Sequence, residues 1–201
     1  AEAAERAGLA SKIPGVTMTE KQRYELKIAS LLHDCGKVTT PVHVVDKATK
    51  LHTLFDRIHL LDTRFEVLKR DAELALLRAL ASRPAGAAEK AKAEDAARSE
   101  YAERIRRLED DREFLRHCNV GVESMSEEAQ ERVRRIAAYR WRAPEGQETG
   151  FLSDDEVLNL TIRAGTLTAE ERQIINHHID VTIKMLESLP WPKHLKNVPE
   201  Y

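Results

Sequence analysis

The sequence predicts an all-α protein containing a long antiparallel helical hairpin, and three observations carry that prediction. Apolar residues recur at intervals of three and four through each longer segment, the spacing of one buried helix face. Ser and Thr residues followed three places later by Glu or Gln open several of these runs as capping boxes. A Pro/Gly turn, Ser82-Arg83-Pro84-Ala85-Gly86, joins the two longest runs and folds them back on each other.

In chain order, residues 1–18 form an Ala/Glu-rich helical piece that breaks at Ile13-Pro14-Gly15. Thr19-Glu20-Lys21-Gln22 then caps a helix whose buried stripe is expected at Tyr24, Ile28, Leu31, Leu32 and Cys35. His33 and Asp34 end it, and Gly36 suits the left-handed position just past a helix terminus. Pro41 stops the helix from running on, so Val38 to Leu51 reads as a loop with an extended or one-turn segment.

From residue 53 to 82, Ile58, Leu61, Phe65, Leu68, Ala72, Ala75 and Ala79 make a heptad seam. The second hairpin helix runs to about His117, with Tyr101, Ile105, Leu108 and Leu115 in the seam and Arg112 interrupting it. After a loop at Asn119-Val120-Gly121, a capping box from Ser124 to Glu127 opens a basic amphipathic helix ending near Trp141. Pro144 to Gly150 reads as a linker and Asp154 to Ile162 as a short helix. Thr168 and Glu171 cap a last helix bearing Ile174, Ile175, His178, Val181, Met185 and Leu186.

The chain's 201 residues, 42% hydrophobic and 33% charged, suffice for a real core and describe a soluble, helix-leaning protein. A net charge of −2 argues against a broad nucleic-acid-binding face, which needs an excess of Lys and Arg. Two distant cysteines, Cys35 and Cys118, suit a reducing, cytoplasmic compartment. No apolar run reaches membrane-spanning length and no signal peptide opens the chain.

The chemistry concentrates in Leu31-Leu32-His33-Asp34-Cys35-Gly36-Lys37. An imidazole beside a hard carboxylate suits a divalent metal, and Lys37 adds a cation for an anionic substrate. The spacing His-Asp-x-Gly-Lys should arise by chance in roughly one in a thousand chains of this size. Cys35 is expected to be a small core residue. Lys47 and Lys50 could reach phosphate, although lysines on a loop are mostly solvated charge. His52, Asp56, His59 and Asp62 would share one side of the first hairpin helix, where intrahelical pairing explains them better than metal binding. His178, at the edge of an apolar stripe, reads from the residues alone as a satisfied core histidine.

The segments LLHDCGK, VTTPVHVVDKATKL, GTLTAEERQIINHHIDVTIKML and SLPWPKHLKNVPEY resemble the HD-GYP phosphohydrolases, a branch of the HD superfamily of metal-dependent phosphodiesterases. The subgroup it resembles carries HDCGKVTTP and a long helical insertion. The resemblance implies an HD-type helical bundle interrupted by the hairpin. Its core would take residues 1–51 and 167–201, and the insertion residues 52–166. It also implies a His-His-Glu and Gly-Tyr-Pro signature beyond Tyr201, so the chain is expected to hold a partial domain.

By this resemblance His33, Asp34 and His178 are metal ligands, with His177 a neighbour. Asp34 and Lys37 are catalytic, and Lys37 and Lys47 bind substrate. Two or three divalent ions, iron or manganese, would activate water against a cyclic dinucleotide, foremost cyclic di-GMP. The alternative is a catalytically inactive HD-like signalling scaffold. In either case the hairpin seam is expected to pair with a second copy of the chain or dock a partner.

Overall fold

A computed structural model describes residues 18–81, 87–121, 124–144 and 146–200. The expected break at Ile13-Pro14-Gly15 and the turn at residues 82–86 lie outside them. The described residues are predominantly helical with one two-stranded sheet, an all-α architecture. They divide into two compact units: the residues up to Val45 together with those from Ala169 onward, and Asp46–Thr168.

In the first unit, helix α1 (Glu20–Leu32) opens with the expected capping box. The Thr19 hydroxyl accepts from the Gln22 N–H at 3.3 Å, and the Gln22 side chain accepts from the Thr19 N–H at 2.9 Å. Its inward residues are Glu25 and Ala29, while Tyr24 and Leu31 of the expected stripe face solvent. The Glu25 carboxylate sets this rotation by accepting long bonds, 3.5 Å each, from the Asn197 backbone and side-chain nitrogens. A buried carboxylate needs such partners, and apolar periodicity alone does not register that need.

A 3₁₀ turn (Cys35–Thr39) and a single helical turn, α2 (Val42–Val45), follow, the latter closed on the Pro41 carbonyl. The unit ends in a helix at Ala169–Glu187, labelled α7 below, and two 3₁₀ turns, Lys193–Leu195 and Val198–Glu200.

The second unit is built on the hairpin of α3 (Ile58–Ala81) and α4 (Ala87–Val120). Ion pairs join Asp62 to Arg116, Glu66 to Arg112 and Lys69 to Glu109. Numbers rise along one helix as they fall along the other, so the two run antiparallel. Ile58, Leu61, Phe65, Leu68 and Ala72 are buried as expected, but Ala75 and Ala79 are exposed. A straight helix turns every 3.6 residues, so a strict heptad drifts off the contact line, which passes instead to Leu76 and Leu80.

Helix α3 begins at Ile58, five residues later than expected, because the Asp56 carboxylate accepts from the Ile58 N–H at 3.0 Å. Asp56 also takes bonds from Thr49 and Asn119. His52 and Asp56 therefore lie in the preceding turn, off the helix that carries His59 and Asp62.

Helix α4 runs on through Asn119 and Val120 to a left-handed Gly121 (φ 84°). Helix α5 (Glu127–Ala137) is capped by Ser126, whose hydroxyl accepts from the Ala129 N–H at 3.2 Å, in place of Ser124. It stops short of Trp141, which lies in strand β1 (Arg140–Arg142). The expected linker supplies strand β2 (Glu148–Gly150), with Trp141 opposite Thr149. The Trp141 indole N–H donates to the Gly150 carbonyl at 3.1 Å, and Phe151 packs on Phe65 at 4.6 Å between ring centres. Helix α6 (Asp154–Leu160) and helix α7 (Ala169–Glu187) complete the series.

Two buried charge systems were hidden from the periodicity. Asp111, not Arg112, faces inward on α4 and accepts from Arg132 and from the Tyr139 hydroxyl. Lys47 and Lys50 are buried, not solvated. Lys50 donates to the Leu160 and Ile162 carbonyls at 3.1 and 2.8 Å, a cation at the C-terminal end of α6. Burial pushes its ammonium below the usual lysine range.

Burial and the hydrogen bond to Asp111 push the Tyr139 phenol from 10.0 up to about 12. Between those values the folded chain keeps a proton that the unfolded chain has released. The stabilisation is therefore complete below 10.0 and is lost as pH rises through about 12. Tyr139→Phe is expected to cost about 1–2 kcal/mol at neutral pH. It should also remove this residue's share of the alkaline loss, as read from urea unfolding across that window. Identical alkaline curves for the two proteins would refute the assignment.

Candidate metal centre

Helix α1 ends at Leu32; His33, which caps it, still has helical backbone angles (φ −55°, ψ −24°), and Asp34 steps out of them (φ −110°, ψ 9°). The 3₁₀ turn that follows is closed by the Lys37 N–H on the Asp34 carbonyl at 3.0 Å. Three residues apart on so tight a turn, Asp34 and Lys37 project together. The Lys37 ammonium lies 2.7 Å from Asp34 Oδ2.

Gly36 lets α7 reach this turn. Its backbone angle is not left-handed, contrary to the expected helix stop; what it supplies is space. A Cβ there would collide with the His178 carbonyl oxygen and lie 2.6 Å from Thr182 Oγ1. The Gly36 N–H donates to that hydroxyl at 2.9 Å in a buried bond. Helix α7 thereby turns His178 towards Asp34, with Thr182 one turn further along the same inward face.

The result is a carboxylate flanked on both oxygens. His33 Nε2 lies 3.2 Å from Asp34 Oδ2, and His178 Nε2 lies 3.3 Å from Oδ1. Each ring's other nitrogen faces a backbone carbonyl, Ser30 for His33 (2.8 Å) and Ile175 for His178. A carbonyl only accepts, so each Nδ1 carries the proton, an assignment made from the hydrogen-bond network. Each ring then turns its Nε2 towards a carboxylate oxygen. Two acceptors this close require a proton or a cation between them. Fixing Nδ1–H on a carbonyl is also how proteins orient histidines towards metals.

Lys37 supplies one positive charge now. Its hydrogen bond, helped by the charge of His33 and then of His178, holds the Asp34 carboxyl below the usual range. His178 is largely covered, whereas His33 and Asp34 remain accessible.

Of the residues singled out above, His33, Asp34, Lys37 and His178 are gathered here. Among the described residues no group of three or more His, Cys, Asp and Glu side chains is arranged to hold a metal ion. The contacts are pairwise on one carboxylate, with Lys37 and His33 on Oδ2 and His178 on Oδ1. His177 is exposed and faces Asp180 at 3.3 Å. Lys47 belongs to the second unit, where its buried ammonium donates to Asn159 Oδ1 at 2.8 Å. Thr182 was not anticipated. Its place four residues after His178 was the available signal, but its role depends on contact with Gly36.

A family model described as HD domain matches residues 150–201, the segment that carries α7 and His178. Families of this kind are generally metal-dependent phosphohydrolases that bind divalent ions. The His33-Asp34 segment lies outside the matched range. Comparison with curated proteins and with solved structures finds no match.

Gly36→Ala is expected to lower stability by about 2–3 kcal/mol, since its Cβ meets backbone and cannot be accommodated by a rotamer change. Thr182→Val should cost about 1–3 kcal/mol by stranding the buried Gly36 N–H. Thr182→Ser, which keeps the hydroxyl, should cost less. Denaturant unfolding measures all three, and a Gly36→Ala protein as stable as the parent would contradict the close approach.

Proposed function

We propose that the chain contributes to a metal-dependent phosphodiesterase centre of the HD-GYP type, hydrolysing a cyclic dinucleotide, with cyclic di-GMP first among candidates. One observation supports it most: two imidazoles, each held by a carbonyl on Nδ1, turn their Nε2 atoms towards the same carboxylate beside a lysine. The HD-domain match over the segment carrying His178 supports the superfamily level. The cyclic dinucleotide rests on the resemblance of LLHDCGK and VTTPVHVVDKATKL to that branch.

In this reading His33, Asp34 and His178 hold divalent ions, two or three in number and iron or manganese by ligand type. A bound ion supplies Lewis acidity to the phosphodiester. Asp34 presents both oxygens, while the Ser30 and Ile175 carbonyls keep the imidazoles turned inward. Lys37 has two tasks. It neutralises Asp34 when no ion is present, and it offers its ammonium to the phosphate when the carboxylate is otherwise engaged. Lys47 keeps a structural role on Asn159 here.

The second reading is an HD-like scaffold without catalysis. The Lys37–Asp34 ion pair favours it, because an ammonium already satisfies the carboxylate.

Metal analysis of purified protein supplied with manganese or ferrous iron, paired with cyclic di-GMP hydrolysis, tests both readings. Bound metal should disappear in the His33→Ala, Asp34→Ala double variant. Lys37→Met should retain metal at least as well as the parent, having lost a competing cation. It should hydrolyse about 10²–10³-fold more slowly. Metal content unchanged in the double variant removes the metal reading; metal binding with no turnover of any cyclic dinucleotide selects the scaffold.

A further inference from the structure

The proposed ligands come from two distant stretches of chain. His33 and Asp34 follow the end of α1, whereas His178 lies on α7. His178 Nε2 and Asp34 Oδ1 stand 3.3 Å apart. Two donors held on one ion at about 2.0–2.2 Å each, at tetrahedral or octahedral angles, stand roughly 3.0–3.4 Å from each other. The observed span fits a shared ion, and an offset of about 1 Å between the two stretches would take it out of that range.

Thr182 is placed to hold that span. It is buried, and its hydroxyl accepts from the Gly36 N–H at 2.9 Å. Gly36 follows Asp34 by two residues on the 3₁₀ turn, about 4 Å of rise. Thr182 follows His178 by four residues on α7, about 6 Å or one turn. The bond therefore joins the two stretches within a single turn of each donor. The α7 backbone at His178 and Thr182 lies directly against Gly36 and bars a closer approach, while the hydrogen bond resists withdrawal. A buried hydroxyl costs free energy unless it is bonded, and valine would fill much the same space without that cost.

We infer that Thr182 is a positioning residue for the metal centre: through the Gly36 N–H its hydroxyl holds Asp34 and His178 at the separation that one ion requires. This role rests on the metal-binding reading and adds to it a residue that touches neither ion nor substrate. Loss of the hydroxyl frees the turn to drift from α7, and the effect falls on affinity. Outer partners that orient metal ligands are typically worth about 10–100-fold in metal affinity.

Calorimetric titration of the full chain with manganese, on parent and variants shown to be folded by circular dichroism, tests this. Thr182→Val is expected to weaken binding about 10–100-fold. Thr182→Ser, which keeps the acceptor, should bind as the parent does. Val198→Ala removes buried apolar surface elsewhere in the same unit, so it should lower stability and leave affinity unchanged. Thr182→Ala should show the valine variant's loss, and it replaces that variant should valine prevent folding. A parent that binds manganese no better than the His33→Ala, Asp34→Ala double variant removes the metal reading and this role with it. A parent that binds, with Thr182→Val and Thr182→Ala binding equally well, overturns the positioning role alone. So does a loss of the same size in Val198→Ala or in Thr182→Ser.

Discussion

The candidate centre depends on the absence of one methyl group. At Gly36 the backbone of the 3₁₀ turn approaches α7 so closely that its N–H reaches the Thr182 hydroxyl and a Cβ would strike the His178 carbonyl. Without that approach His178 and Asp34 would belong to separate pieces of chain. With it, the turn fixes Asp34 and Lys37, and α7 fixes His178, through one buried hydrogen bond and direct backbone contact. The cost of a glycine in conformational entropy is offset by a placement that no larger residue permits.

Buried charge is partnered in both units; in the first, the Glu25 carboxylate accepts from Asn197 and ties α1 to the end of the chain. In the second unit every prominent buried charge ends on a partner that pins two elements together. Asp111 and Arg132 tie α4 to α5, Arg64 holds Glu156 of α6, and Lys50 closes the end of α6. These pairs replace water with fixed partners, and the carboxylates and ammonium groups gain direction as well as stability. Asp34 in the first unit is only partly covered and has potential partners on each side. Its neighbours are the Lys37 ammonium and the His33 and His178 rings, drawn from two elements onto one carboxylate.

The helices, the Thr19 cap, the antiparallel hairpin and the His-Asp-x-Gly-Lys turn were legible because each is encoded within a few residues. What was not legible depends on contacts between distant parts of the chain. Glu25 turns α1 through Asn197, and Asp56 delays α3 through Asn119. Phe151 and Trp141 convert an apparent linker into a hairpin. Ala75 and Ala79 leave the seam because a straight helix does not keep a seven-residue period. At the centre, His33, Asp34 and Lys37 could be read from spacing, and His178 only through the family resemblance. Thr182 and the true reason for Gly36 emerged from packing.

The order of the chain bears on how such a centre can hold together at all. The chain leaves the first unit after Val45 and re-enters it at Ala169, with all of the second unit in between. Closing a long flexible loop costs entropy, but only about 0.6 kcal/mol for each doubling of length. A segment with its own core is less costly still to carry, because most of its freedom is already spent on its own packing. The second unit has such a core, running from Leu51 through Phe65, Leu115 and Ile136 to Leu160. The first unit then needs only a local device to bring its two pieces into register. The Gly36–Thr182 contact is such a device: it acts at the two residues flanking the chemistry and asks nothing of the intervening chain.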